Sequence, residues 1–384
     1  MRIRSWIGLL LIAVICTGLE PPAAARGRPA DSAFLTVKSS PSASYETTGE
    51  LPFKGLKKAI AEADRVHAGA LPYTDRYLTI RSGGQSSVWQ VGRDGRLYNA
   101  ESGERLQLAG EWTDKLKQYA DEMSRKHYGE LVDWTEARQA ISVKSTVTLI
   151  DLETGLSFRA QRRAGRHHAD AQPVTKEDTK VMKQIYNDKW SWKRRAVLIR
   201  HGDRLYAASM HGMPHGGDGI PDNGFSGHFC IHFRNSTTHG SKARDPEHQL
   251  MVHKASGRLE EYVRSLGPQE LADAFIAAVH LQQHHMLGLF FKSSRSPEYV
   301  RLMEEVRPLI SLRPIQQKKE ISQEATGWAA EIPAEVQIER AGRKAVRHKL
   351  LFRMHRDAAG SWVLAEVEGL ADGNPNRKSN EIGE

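Results

Sequence analysis

The sequence predicts a multidomain α+β protein, with a mainly-β central domain flanked by two small α+β domains. Three observations carry that expectation. A chain of 384 residues is long enough for two or three domains. Short β-patterned runs separated by glycine turns crowd its middle, while helical spacing dominates elsewhere. The pair Gly267-Pro268 then breaks the pattern before a last set of helices and strands.

Residues 1–25 read as an export signal. Arg2 and Arg4 form a charged start, residues 6–18 an apolar run, and Ala23-Ala24-Ala25 a small-residue cleavage site. The run is too short for a comfortable membrane span, and no later stretch is apolar enough for one. The expected location is therefore secreted or cell-envelope, with no stable membrane span after signal cleavage. Residues 26–50 are rich in Ser, Pro, Ala and Thr and read as a disordered linker.

Residues 51–130 read as a small α+β domain. Helical spacing over 56–68 precedes strand-like runs at 76–81, 87–91 and 96–99, with Asp94-Gly95 as a hairpin turn. A helix follows over 111–128, with Leu116, Tyr119, Met123 and Tyr128 roughly on one face.

Residues 131–266 form the expected central domain. Strands at 145–150 and 156–161 flank the turn Glu153-Thr154-Gly155. Residues 162–170 read as a polar loop carrying His168 and Asp170. Thr175 is an N-cap candidate with Asp178 three residues on, a capping-box pattern. Strands at 196–200 and 204–209 lead into a histidine- and glycine-rich loop, and 246–266 reads as a helix.

Residues 267–372 read as a C-terminal α+β domain. Helices at 270–289 and 297–310 precede strands at 329–332, 335–339, 348–356 and 362–368. Helices leading into a curved antiparallel sheet resemble the NTF2-like cone fold, by topology alone. Residues 373–384 read as a disordered tail.

The formal net charge is +9, and no pattern of a nucleic-acid-binding module is present. A basic exported protein is expected to meet peptidoglycan or another anionic cell-wall polymer, and no nucleic acid.

The chain has 2 cysteines. Cys16 lies in the expected signal, so Cys230 is left as the single thiol of the mature protein, without a disulfide partner. It sits in MHGMPHGGDGIPDNGFSGHFCIHFRNSTTHG, among His211, His215, His228, His232 and His239. A thiol beside imidazoles suits nucleophilic catalysis, because the thiolate is the nucleophile and a histidine can take its proton. Strand alternation over 229–233 puts His228, Cys230 and His232 on one face and Phe229, Ile231 and Phe233 on the other, in the core. Trp190, Trp192 and Arg195 offer stacking and charge for a polymeric substrate, and Asn223 lies in the loop beside them.

The same residues allow a second chemistry. His211, His215, His228, Cys230, His232 and His239 are all zinc-ligand types, with His168 or Asp170 able to complete a site and Asp218 or Asp222 as its base. No cofactor is favoured, and zinc is the alternative. A non-catalytic envelope-binding module is the third reading.

The stretch Gly227-His228-Phe229-Cys230-Ile231-His232 resembles the catalytic motif of the L,D-transpeptidase (YkuD-type) domain. That motif has an upstream His, a Gly-rich gap, then Ser/Thr-His-Gly-Cys, an apolar residue and Arg or Asn. The resemblance spans residues 145–255 and is close only over 227–232. Gly227, Phe229 and His232 stand where the family carries Ser/Thr, Gly and Arg or Asn. It implies Cys230 as nucleophile, His228 as general base and later acid, and His211 or His215 orienting a partner or lining the site. It further implies an oxyanion hole of backbone N–H groups near Phe229 and Cys230. The implied reaction is acyl transfer through a thioester on a peptidoglycan stem peptide.

Overall fold

The computed structural model describes residues 32–217, 219–240, 242–315 and 327–371. The expected signal and C-terminal tail lie outside the described residues. The architecture is α+β and mostly β, with three antiparallel sheets and helices packed between them.

The N-terminal sheet contains β1 (Ser32–Lys38), β2 (Glu46–Glu50), β3 (Asp64–His67), β4 (Arg76–Ser82), β5 (Gln85–Val91), β6 (Leu97–Tyr98) and β7 (Glu104–Gln107). Its order is β2-β1-β4-β5-β6-β7-β3. Helices α1 (Leu56–Glu62) and α2 (Gly110–His127) accompany it, and α2 packs across β1 and β2. Residues 32–50 are thus not a disordered linker. Ala33, Leu35 and Val37 alternate into the core, while Thr36 faces out and meets Thr48 at 2.9 Å. The segment carries few large apolar residues because β1 buries only one face and β2 buries none of its residues fully. The helix expected over 56–68 ends at Glu62; Ala63 is extended and β3 pairs with β7.

The central unit begins with α3 (Trp134–Ala140) and closes a six-stranded barrel. Its strands are β8 (Thr146–Asp151), β9 (Ser157–Ala164), β10 (Ala169–Pro173), β11 (Arg195–His201), β12 (Arg204–Met210) and β13 (Phe229–His232), in the order β10-β13-β12-β11-β8-β9. Leu149, Phe158, Val197, Ile199, Tyr206, Phe229 and Ile231 fill its interior. The polar loop expected over 162–170 is shorter: β9 runs to Ala164, β10 starts at Ala169, and only residues 165–168, with His168, form the connection. Every residue of β10 is buried, so it carries no alternation to read. Between β10 and β11 lies α4 (Lys176–Ile185), which opens with the expected capping box of Thr175 and Asp178.

Four helices follow: α5 (Pro246–Ala255), α6 (Leu259–Ser265), α7 (Pro268–His280) and α8 (Pro297–Val306). The helix expected over 246–266 divides at Gly257, whose φ of 68° lies in the left-handed region, where a side chain would collide with the Tyr128 ring. The one expected over 270–289 stops at His280, and His284–Phe290 forms a 3₁₀ turn. The last sheet runs β14 (Leu309–Pro314), β15 (Ala329–Arg340), β16 (Val346–Arg356) and β17 (Trp362–Glu368) in chain order. Its β15 unites two expected strands across Pro333. That proline lies beyond the end of β14, so the ladder on that side loses no donor.

The two flanking units keep separate sheets but share a core. One hydrophobic cluster joins Leu35 and Leu78 of the first sheet, Leu250 and Met251 of α5, Phe275 of α7 and Phe352 of the last sheet. The units expected at 51–130 and 267–372 thus meet through one hydrophobic cluster. The helix α5 also lies on β11 and β12, so it covers the outside of the barrel beside Cys230. Among the described residues no helix is long and apolar enough to cross a membrane.

Candidate active site

The expected alternation of β13 holds. Phe229, Ile231 and Phe233 enter the barrel core, and Cys230 and His232 point outward. That outer face is nonetheless buried, with Cys230 only 4 % exposed, because α5 and the loop segments close over it.

The glycine loop is shaped by close packing. His215 and His228 exchange two backbone hydrogen bonds, 3.0 Å and 2.8 Å long, in an antiparallel bridge. Gly227 has φ 84°, and a Cβ there would collide with the His215 carbonyl oxygen. Gly216 packs as tightly, since a Cβ on it would meet the His228 ring. The glycines let two histidine-bearing segments approach each other.

The histidine at the thiol is His215. Its Nε2 lies 3.4 Å from Cys230 Sγ, and its Nδ1 lies 3.1 Å from the Met213 carbonyl oxygen. A carbonyl only accepts, so Nδ1 donates there and the Nε2 lone pair is left for the thiol proton. Burial pushes the Cys230 thiol well above its ordinary value. The resting sulfur therefore keeps its proton and faces the His215 ring nitrogen. His211 is buried beside His215, with ring centroids 5.1 Å apart. Trp192, 49 % exposed, covers both, at 4.7 Å from His211 and 5.2 Å from His215.

The position expected for the general base changes accordingly. His228 has no hydrogen bond to Cys230; its Nε2 lies 3.9 Å from Asp170 Oδ1. His232 turns its Nδ1 to Ser236 Oγ at 2.9 Å and stacks on His248 of α5 at 3.7 Å. Burial holds His211, His232 and His248 well below the ordinary imidazole value, so this stack is neutral and packs like a pair of apolar rings.

On the other side of Cys230 lies Asp170, its partner in the β10–β13 ladder. Asp170 Oδ1 is 3.3 Å from His168 Nε2 and 3.3 Å from His239 Nε2. Burial works against its ionised form, but His168, His228 and His239 outweigh that and hold the carboxyl below its usual range.

Three expected substrate residues belong to the scaffold instead. Arg195 makes a two-pronged pair with the fully buried Asp151, at 2.7 Å and 2.6 Å. Asn223 is buried and staples the loop, donating to the Pro173 carbonyl and accepting from Phe225 N–H. Trp190 packs edge-on against Phe225 on the barrel core. Trp192 alone of the four faces the site. Asp222 is an exposed turn residue, and Asp218 lies outside the described residues. Asp170 and His168, which the sequence offers as loop residues able to complete a metal site, lie beside Cys230. Neither they nor His248 on α5 could be joined to Cys230 without knowing the barrel order.

Comparison with protein-family models, with curated proteins and with solved structures gave no match.

Proposed function

We propose that this protein is an exported cysteine acyl-transferase acting on cell-wall peptides, with Cys230 as nucleophile and His215 as its general base. The observation that carries this reading is the line from Cys230 Sγ through the His215 ring to the Met213 carbonyl. Nucleophile, base and an orienting acceptor are the three parts that activated nucleophiles share. The signal-like start and the net charge of +9 support an envelope location and an anionic polymer as partner.

In this mechanism the Cys230 thiol gives its proton to His215 Nε2 as sulfur attacks a peptide carbonyl carbon. The carbon–nitrogen bond breaks, the leaving amine takes the proton from His215, and a thioester remains on Cys230. A second amine, or water, then gives its proton to His215 and attacks the thioester. The carbon–sulfur bond breaks, and sulfur recovers its proton. Trp192, half exposed over His211 and His215, supports a role in stacking on the substrate.

The test is alkylation of the full-length protein with iodoacetamide, together with mass analysis after incubation with peptidoglycan stem peptides. The reading expects an acyl adduct on Cys230, absent in Cys230→Ala. It expects alkylation to slow on the order of tenfold or more in His215→Ala, with a smaller change in His228→Ala. Equal alkylation of wild type and His215→Ala, without any adduct, would overturn it.

A further inference from the structure

We propose that His168, Asp170 and His239 form a binding site for a divalent transition-metal ion, beside Cys230 but without its sulfur as a ligand. The first ground is a buried nitrogen left without a hydrogen bond. His168 Nδ1 donates to the Thr237 carbonyl oxygen at 2.8 Å. His168 is 1 % exposed, and its Nε2 is buried without a hydrogen-bond partner and faces Asp170 Oδ1 at 3.3 Å. A buried polar atom left unpaired calls for a ligand.

The second ground is geometry. Asp170 Oδ1 is 3.3 Å from His168 Nε2 and 3.3 Å from His239 Nε2, and the three atoms lie within 4.8 Å of one another. Ligand bonds of 2.0–2.1 Å in a tetrahedron place neighbouring ligand atoms about 3.3 Å apart. Two imidazoles and one carboxylate suit zinc and the neighbouring first-row ions, and leave further positions open. His228 Nε2, also buried without a hydrogen-bond partner, stands 3.9 Å from the same oxygen, farther than the other two imidazoles. The Thr237 carbonyl orients His168 as outer groups orient metal-binding histidines. His239, with 51 % of its side chain exposed, gives the ion a way in.

Cys230 is the less suitable ligand. Its sulfur already meets His215 Nε2, whereas the carboxylate faces three imidazole nitrogens. The site does not depend on the acyl-transfer reading.

The experiment titrates chelator-treated full-length protein with Zn²⁺ alone and then with Co²⁺ alone, following bound metal, the cobalt spectrum and the thermal midpoint. The expected result is about one equivalent bound per chain, a midpoint that rises with metal, and a cobalt spectrum lacking a thiolate charge-transfer band. Cys230→Ala keeps all three, while His239→Ala and Asp170→Asn lower the affinity on the order of tenfold or more. His239 is half exposed, so His239→Ala reports on the ligand without depending on a core that has to refold. Absence of stoichiometric binding in the wild type would overturn the site. So would binding lost in Cys230→Ala but retained in His239→Ala. Either failure leaves the dependence of Cys230 alkylation on His215 to be read separately.

Discussion

His215 and Arg195 show what a side chain's neighbours decide. Both are polar residues that the sequence offers for the site. One aims a lone pair at the sulfur, and the other neutralises a buried carboxylate on β8. Removing one partner of a buried ion pair strands the other charge, at about 3–5 kcal/mol. Arg195→Ala is therefore expected to lower the thermal midpoint sharply, and chemical denaturation measures the loss. In the folded fraction the Cys230 alkylation rate should match wild type; a slowed rate would return Arg195 to the site. Gly227 is the second single-residue test. Its left-handed backbone and its contact with the His215 carbonyl leave no room for a methyl group. Gly227→Ala should cost about 2 kcal/mol or more and should also change Cys230 reactivity, because it displaces the bridge that holds His215.

The elements differ in how plainly the sequence announces them. The cap of α4 is legible because Thr175 and Asp178 satisfy each other's backbone groups locally, needing no partner from elsewhere. Thr175→Ala is expected to cost about 1 kcal/mol, read as a shift in the denaturation midpoint at unchanged slope. By contrast β10 is silent, since both of its faces are covered and no period survives. The first two strands fail for the opposite reason: β1 has one thin apolar face, and β2 has no apolar side chain at all. Deleting residues 1–50 should therefore expose the far side of β4 and Leu35's neighbours in the core. The shortened protein is expected to unfold at lower denaturant than the full chain, where removal of a true linker would leave the midpoint unchanged.

At the scale of the whole molecule, the shared core makes the barrel one part of a single packed body. Helix α5 is the joint, carrying Leu250 and Met251 into the larger core and His248 onto the site. The body also buries neutral histidines far from Cys230. Burial depresses His127, His253 and His280 from 6.5 to about 4. Each takes up its proton sooner in the unfolded chain, so its contribution is whole above pH 6.5 and is lost as pH falls through 4. His127, fully enclosed, alone accounts for about 3 kcal/mol across that window. Stability is expected to drop steeply between pH 6.5 and pH 4. Replacing His127 with Gln should flatten the drop in a series of denaturation curves.

The sequence by itself determined the class of the fold, the central strands other than β10, and the two faces of β13, with Cys230 outward and Phe229 and Ile231 inward. Those features follow from local periods and turn residues, which neighbours along the chain suffice to set. Only the tertiary structure decided that His215 rather than His228 reaches the thiol, that Asp170 gathers three imidazoles, and that Arg195 and Asn223 serve the scaffold. Each of these depends on which strand lies beside which in the closed barrel, and on the helix packed outside it. Such pairings join residues 15 to 69 positions apart, as in Cys230 with His215 and Asp170 with His239, and no local period records them.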